Sequence, residues 1–340
     1  MRILIITQVL DTNHPVLGVF HRWVEEFAAQ CEVVQVICLQ KGNHQLPSNV
    51  TVYSLGKEEG VSRIQYLLRF YRLVWQLRHQ YDGVFVHMNQ EYVLLAGLFW
   101  KLLQKKVLLW RNHFAGSWLT NIAGSLSNTV LYTSKASYTA TFKNAVQMPI
   151  GIDPSTFKPQ PAVVREPASV LYVGRVARSK RILELLQAVH QANEAGARLQ
   201  VTVVGPTTSP ADEQYLAELK QYSKQQELLV TFRGPVPWEM LPQIYSAHEL
   251  SVNLSPPGMF DKVIGESLAC MCDVVTTNVD LADVLQGRVL TLLSVEALSS
   301  FLQQYTYDAA TVDRLRQQVL DQHALPTVVQ SVLRRYQQLG

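Results

Sequence analysis

Cysteine is scarce in this chain of 340 residues: there are four, Cys31, Cys38, Cys270 and Cys272, in no CxxC or Cys/His spacing. That argues against a zinc site, and four in so long a chain are no disulfide framework, so a reducing compartment is expected. Long apolar runs are missing too. The longest, YVLLAGLFWKLL from Tyr92, is broken by Lys101 and falls short of the roughly 20 residues a spanning helix needs. The start, MRILIITQVL, runs into Asp11 without a cleavage-type signal and reads as a buried first strand. After RILIIT the segment QVLDTNHPVLG holds one glycine where a dinucleotide fingerprint would need GxGxxG, which argues against a dehydrogenase. No solenoid repeat or low-complexity tract interrupts the chain.

What is present is a packed composition, 48% hydrophobic and 17% charged, at a length suited to two domains. The net charge of +3 conceals an asymmetry: residues 1–150 carry 14 Lys and Arg against 8 acids, the remainder 16 against 19. The first half therefore has a positive field. No nucleic-acid reader motif accompanies it, and nucleic acid is not an expected partner.

Short β-branched runs alternate with helical patterns through both halves. RILIIT, VVQVICL, YDGVFVHM, KVLLW and NTVLYTS mark the first set, and SVLYVG, LQVTVVG, LLVTFRG, LSVNLS and DVVTTN the second. Such alternation predicts parallel sheets with crossover helices, hence an α/β fold. Prolines at 149, 154, 159, 161 and 167 separate the sets. The expected organisation is a domain over 1–150, a linker over 151–168, a second domain over 169–320, and a C-terminal helix over 321–340 packing back toward the first. Ligands bind parallel sheets at the carboxyl ends of strands, so residues just after the strands are the candidates.

Two turns stand out. In VLYVGRVARSKRILELLQAV a strand ends at Gly174, a loop carries Arg175, Arg178, Lys180 and Arg181, and a helix follows. Backbone amides and cations converge there in a way that suits a diphosphate, although the same turn is equally a solvated basic loop. In SPPGMFDKVIGESLAC, Gly258 permits close backbone approach and the amides of Met259 and Phe260 lie near a helix start. Glu266, one turn into that helix, suits the vicinal hydroxyls of a ribose or merely complements the helix dipole.

Taken in order, GRVARSK, VTVVG, TFRGPVPWEMLPQIYSAHELSVNLS and FDKVIGESLACMCDVVTTN resemble the donor-binding domain of retaining family 4 glycosyltransferases (glycosyl transferases group 1) of GT-B fold, over about 175 to 278. GVFHRWVEEFA, the His113 turn and PIGIDPSTF resemble the same family more weakly. The resemblance implies two Rossmann-like domains facing across a cleft, and a cytoplasmic enzyme that moves a sugar from a UDP- or GDP-linked donor to a glycan or lipid-linked acceptor. It implies no metal or other cofactor. By the same resemblance Arg175 and Lys180 would neutralise the diphosphate and Glu266 would hold the ribose. Gly18 would let the first loop approach the donor, His113 would sit near the reacting sugar, and Gly205 and Val236 would border the base. Asp153 in the GID turn is expected to be structural. One position departs from the family: an acid usually stands where this chain has Gly258, with Asp261 and Lys262 shortly after. Asp261 is expected to take over a sugar-hydroxyl contact, and Lys262 to add charge near the diphosphate. The alternative is a non-catalytic sugar-nucleotide-binding or partner subunit, and Met271, Cys272 and Asp273, where Gly, Thr and Pro are usual, leave it open.

Acids are absent from Ser62 to Tyr81, a helical stretch with Arg63, Arg69, Arg72 and Arg78. Ile64, Leu67, Leu68, Tyr71 and Trp75 share one stripe, which is expected to pack on the sheet while the arginines face an anionic membrane surface. His87 reads as a satisfied strand-end histidine, and His21 as solvent- or loop-facing.

Overall fold

The computed structural model describes every residue except 15–16, 256–261, 283, 286, 291–293 and 340. The chain divides into two compact units, Met1–Gly151 with Leu325–Gly340, and Ile152–Ala324.

The first unit holds strands β1 Arg2–Leu10, β2 Val33–Lys41, β3 Val50–Ser54, β4 Gly83–His87, β5 Lys106–Trp110, β6 Thr129–Tyr132 and β7 Ala145–Gln147. Its helices are α1 Phe20–Gln30, α2 Arg63–Leu77, α3 Glu91–Leu102 and α4 Trp118–Leu126. The seven strands form one sheet in the order β3-β2-β1-β4-β5-β6-β7, and every pairing is parallel. Side chains alternate across a strand, so β1 feeds two cores. Ile3 and Ile5 join Phe20, Trp23, Val24 and Phe27 of α1 on one face. Leu4 and Ile6 join Phe70, Val74 and Leu77 of α2 and Val93, Ala96 and Trp100 of α3 on the other. Burying each such side chain contributes about 1.5–3 kcal/mol, which is why Ile3 to Ile6 of β1 reads as an uninterrupted apolar run.

The second unit runs β8 Ser169–Val173, α5 Ile182–Glu194, β9 Gln200–Val204, α6 Pro210–Gln225, β10 Val230–Gly234, α7 Leu241–Ala247, β11 Leu250–Asn253, α8 Val263–Ala269, β12 Asp273–Thr276, α9 Val295–Gln304 and α10 Ala309–His323. Its five-stranded sheet has the order β10-β9-β8-β11-β12, again with parallel pairings. The strand order reverses direction between β8 and β11. The last helix, α11 Leu325–Gln338, belongs to the first unit. Its Val328, Val329, Val332 and Tyr336 share the core of α1. The GID turn is structural: the buried Asp153 accepts from the Ser155 amide at 3.0 Å, from its hydroxyl at 2.7 Å and from Thr156 at 2.7 Å.

On α2 the sequence expectation is corrected. The stripe of Ile64, Leu67, Leu68, Tyr71 and Trp75 is exposed, and the face that packs on the sheet is Phe70, Val74 and Leu77. Ser62 caps the helix, its hydroxyl accepting from the Gln65 amide while the Gln65 side chain accepts from the Ser62 amide. Arg69 does not point freely outward, because it pairs with Glu59 at 2.7 Å. Arg78 lies 4.0 Å from the Trp75 ring centre and donates to the Trp75 carbonyl at 2.7 Å. His21 is corrected as well: it is buried, with Nε2 accepting from the Gln45 amide at 3.2 Å.

Candidate active site

At the carboxyl ends of β8, β9 and β10 three strands finish on glycine: Gly174 at φ +148°, Gly205 at φ +144° and Gly234 at φ +69°. The Gly174 amide donates to the Val204 carbonyl and the Gly205 amide to the Gly234 carbonyl, each at 2.9 Å. A Cβ on Gly205 would lie 1.9 Å from the Gly174 carbonyl oxygen, so no side chain can stand there. The result is a shelf of bare backbone. Val236, half-buried, follows Gly234 by two residues.

The loop after β8 is held to this shelf. Tyr172 Oη donates to the Arg175 carbonyl at 2.8 Å, and the Val176 amide donates to the Pro206 carbonyl at 2.9 Å. Arg175 itself is exposed. Asp212 stands within its electrostatic reach: its carboxyl lies below the usual range, chiefly through the Thr208 hydrogen bond, with Arg175 adding a smaller pull. Arg178 is committed elsewhere, donating to both oxygens of Glu218 at 2.6 and 2.5 Å. Lys180 ends a 3-10 turn, and Arg181, in the left-handed region at φ +57°, opens α5. Lys180 Nζ donates to Ser255 Oγ at 2.8 Å. That bond joins the loop after β8 to the loop after β11, at the point where the strand order reverses and a crevice opens in such sheets.

Behind Ser255, α8 carries the remaining charges. Glu266 is buried, with Tyr245 Oη donating to Oε2 at 3.4 Å. Burial pushes the Tyr245 phenol well up, and the Glu266 charge adds to it. Lys262 is half-exposed by surface, yet burial of its ammonium pulls its pKa down while the Glu266 charge opposes that pull. Gly258, Met259, Phe260 and Asp261 lie outside the described residues.

In the first unit the predicted residues lie at the carboxyl ends of their own sheet. Gly18 closes the loop after β1, and a Cβ there would meet the carbonyl oxygens of Thr12 and His14 at 2.8 Å. His113 follows β5 and is exposed. Its Nδ1 lies 3.0 Å from the Ala115 amide and 3.2 Å from the Ala115 carbonyl oxygen. The ring stacks on Phe114 with centres 4.6 Å apart. His113 shares a concavity of about 230 Å³ with Met88, Asn89, Gln90, Glu91, Arg111 and Asn112. Met88 holds φ +69°, a conformation costly for a side chain of its size. Burial draws the Arg111 guanidinium down, and its Nη2 donates to the Ala115 carbonyl at 2.8 Å. His87 instead stacks on Phe20, with ring centres 4.0 Å apart.

Residues 167–305 match the family model for glycosyl transferases group 1. The second unit is thus similar to a group 1 glycosyltransferase domain over that segment. Comparison with curated proteins gives no match. Among solved structures the chain is similar to Anabaena HepE in complex with UDP, with TM-score 0.77 and 16% identity over 99% of this chain and 100% of that one. HepE in complex with UDP-glucose gives TM-score 0.75 and 16% identity over 99% and 100%. Sucrose-phosphate synthase from Thermosynechococcus elongatus gives 0.74 and 17% over 100% and 99%. The fold is GT-B, built of two parallel-sheet α/β domains.

Within the matched segment the structure also gives Asp273 a role. Asp273 is fully buried and holds Arg288, whose Nε donates to its two oxygens at 3.1 and 3.0 Å and whose Nη2 lies 2.8 Å away. A second oxygen contact comes from the Val274 amide at 2.8 Å. The residue is a structural anchor of β12. Sequence reasoning missed Ser255, Tyr172 and Tyr245. Only the strand-end position of Ser255 could have signalled it, since its partner is 75 residues away.

Proposed function

We propose that this chain is a retaining, metal-independent hexosyltransferase of family 4 type, moving a sugar from a UDP- or GDP-linked donor to a glycan or lipid-linked acceptor. The observation that carries the proposal is the Lys180 to Ser255 bond beside a glycine shelf, inside a segment matching the group 1 family. UDP is the favoured nucleotide, because HepE was solved with UDP and with UDP-glucose.

In this proposal Arg175 and Lys180 stabilise charge on the departing diphosphate and are the catalytic cations. Glu266 receives the ribose hydroxyls, and Gly205 and Val236 border the base. Gly18 admits the donor to the first loop. His113 and Asp261 contact the transferred sugar, while Lys262 and the backbone of Gly258, Met259 and Phe260 complete the diphosphate side. The acceptor hydroxyl attacks the anomeric carbon on the face the phosphate leaves. As the new C–O bond forms and the sugar-phosphate bond breaks, the leaving phosphate oxygen takes the hydroxyl proton. Configuration is retained. A lipid-linked acceptor places the protein on the inner face of an anionic membrane. Among the described residues no helix is long and apolar enough to cross one.

The glycine at 258 favours one other reading, a partner subunit that binds sugar nucleotide without turning it over. Thermal shift with UDP, GDP, ADP and their sugar conjugates separates the two when paired with donor hydrolysis. A ligand at 100 times its Kd stabilises by about 2.7 kcal/mol. The transferase reading expects one sugar nucleotide to stabilise beyond its bare diphosphate, less so in Asp261→Ala, with slow hydrolysis that Lys180→Ala reduces by about 100-fold or more. Binding without hydrolysis would establish the partner-subunit reading, and no binding by any of them would defeat both.

A further inference from the structure

The outward sides of α2 and α3 form an apolar surface that no described part of the chain covers. Ile64 is 69% exposed, Leu68 64%, Trp75 56%, Leu98 67% and Leu102 83%. The two helices present it together, because Tyr71 Oη donates to the Leu95 carbonyl at 3.2 Å and the Trp75 and Phe99 rings lie 5.8 Å apart. A helix face this apolar is ordinarily spent on a core, and α2 already spends Phe70, Val74 and Leu77 there.

Cations outnumber acids around this surface, the acids beside it being Glu59, which pairs with Arg69, and Glu91 at the start of α3. Arg63 and Arg72 are exposed on α2, Arg78 lies over Trp75, and α2 contains no acid. On α3, Lys101 stands between Leu98 and Leu102 and also lines a concavity of about 500 Å³ with Gln104, Lys105, Lys106, Ser125 and Asn128. Lys105 is held there by the Tyr81 carbonyl at 2.6 Å. Aliphatic side chains thus project beside interfacial aromatics, with cations and a hydroxyl- and amide-lined hollow at one end. That combination fits acyl chains beside anionic phosphate headgroups.

We infer that the α2–α3 face seats the protein on an anionic bilayer, Ile64, Leu68, Trp75, Leu98 and Leu102 entering the headgroup boundary while the Lys101 concavity takes a lipid phosphate. This deepens the membrane element of the proposed function and does not depend on the donor chemistry.

The test is cosedimentation of the full chain with phosphatidylcholine vesicles, with and without one quarter phosphatidylglycerol. One variant combines Ile64→Ser, Leu68→Ser and Leu102→Ser. A second combines Arg63→Gln, Arg72→Gln and Lys101→Gln. These positions are exposed, so both variants should keep the wild-type melting temperature closely. Binding is expected only to the anionic vesicles, weaker at high salt, and roughly 100-fold weaker in the charge variant at about fivefold per cation. The apolar variant should lose binding at low and high salt alike. Wild type that ignores anionic vesicles, or variants that bind like wild type, would overturn the inference. So would a wild-type dimer that the serine variant dissolves, which would make a second copy the occupant. Nucleotide-induced stabilisation in the same preparations separates the outcomes: its loss counts against the transferase proposal, and loss of vesicle binding alone counts only against this surface.

Discussion

Replacing Gly205 by alanine should damage the shelf far more than the same change at Gly234, although both glycines end adjacent strands. The Gly205 backbone holds φ +144°, a region that side chains avoid at about 1–3 kcal/mol. Its new Cβ would sit 1.9 Å from the Gly174 carbonyl oxygen and 2.6 Å from the carbonyl carbon. Those are backbone atoms that cannot swing aside, so overpacking adds about 1–3 kcal/mol. The central expectation is a loss of about 4 kcal/mol. Gly234 holds φ +69° with nothing within 4 Å of its Cβ direction, so alanine there meets only the left-handed penalty of about 1 kcal/mol. At about 3 °C per kcal/mol for a unit of this size, the melting temperature should fall about 12 °C in Gly205→Ala and about 3 °C in Gly234→Ala. Scanning calorimetry of both variants reads the difference directly. If the shelf binds nucleotide as proposed, the Gly205 variant should also lose stabilisation by it, since relieving the clash moves the Gly174 carbonyl. Equal shifts in the two variants would refute the argument that backbone approach, rather than turn conformation, makes glycine necessary here.

Asp273→Ala should cost about 3–5 kcal/mol, because it strands Arg288 beside the core without a counter-charge; the double variant Asp273→Val with Arg288→Met should recover much of the loss in urea unfolding, and failure to recover would mean the pair is not the cause. Acid stability should follow the histidines. Burial draws His323 down to about 4 and lowers His21 and His248 for the same reason. The unfolded chain, with a histidine value near 6.5, therefore binds these protons first. Their contribution is whole above about pH 6.5 and is lost as pH falls, about 2 kcal/mol for His323 alone by pH 5. His323→Gln should flatten the drop in urea midpoint between pH 7.5 and 5, and an unchanged drop would remove His323 from the account.

The alternation of strands and helices was legible because buried parallel strands are apolar throughout and glycines punctuate their ends. The places of Gly174, Gly205 and Lys180 after their strands were legible for the same reason. The outward face of α2 was not. That helix carries two apolar stripes, Ile64 to Trp75 and Phe70 to Leu77, and periodicity states that each is a stripe without stating which one meets the sheet. The decision belongs to the partner surface of Leu4, Ile6 and Val86. Asp273 was misleading on its own, since its partner Arg288 sits across a loop with no spacing rule to announce it. Short elements such as β7 and α4 left too few residues for a period to show.

The placement of α11 bears on how the chain is made. Unit one begins with β1, yet the side chains that close over α1, among them Val328, Val329 and Val332, are synthesised after every strand of both sheets. Gly83 at the start of β4 lies where Tyr336 must fit, within 2.5 Å of a would-be Cβ. During synthesis the flank of the first sheet that α11 covers has no such cover until α11 is made, while Ile152–Ala324 is contiguous in sequence. The first unit is therefore completed only by the last residues of its core, and a chain cut before Leu325 is expected to leave the α1 flank uncovered.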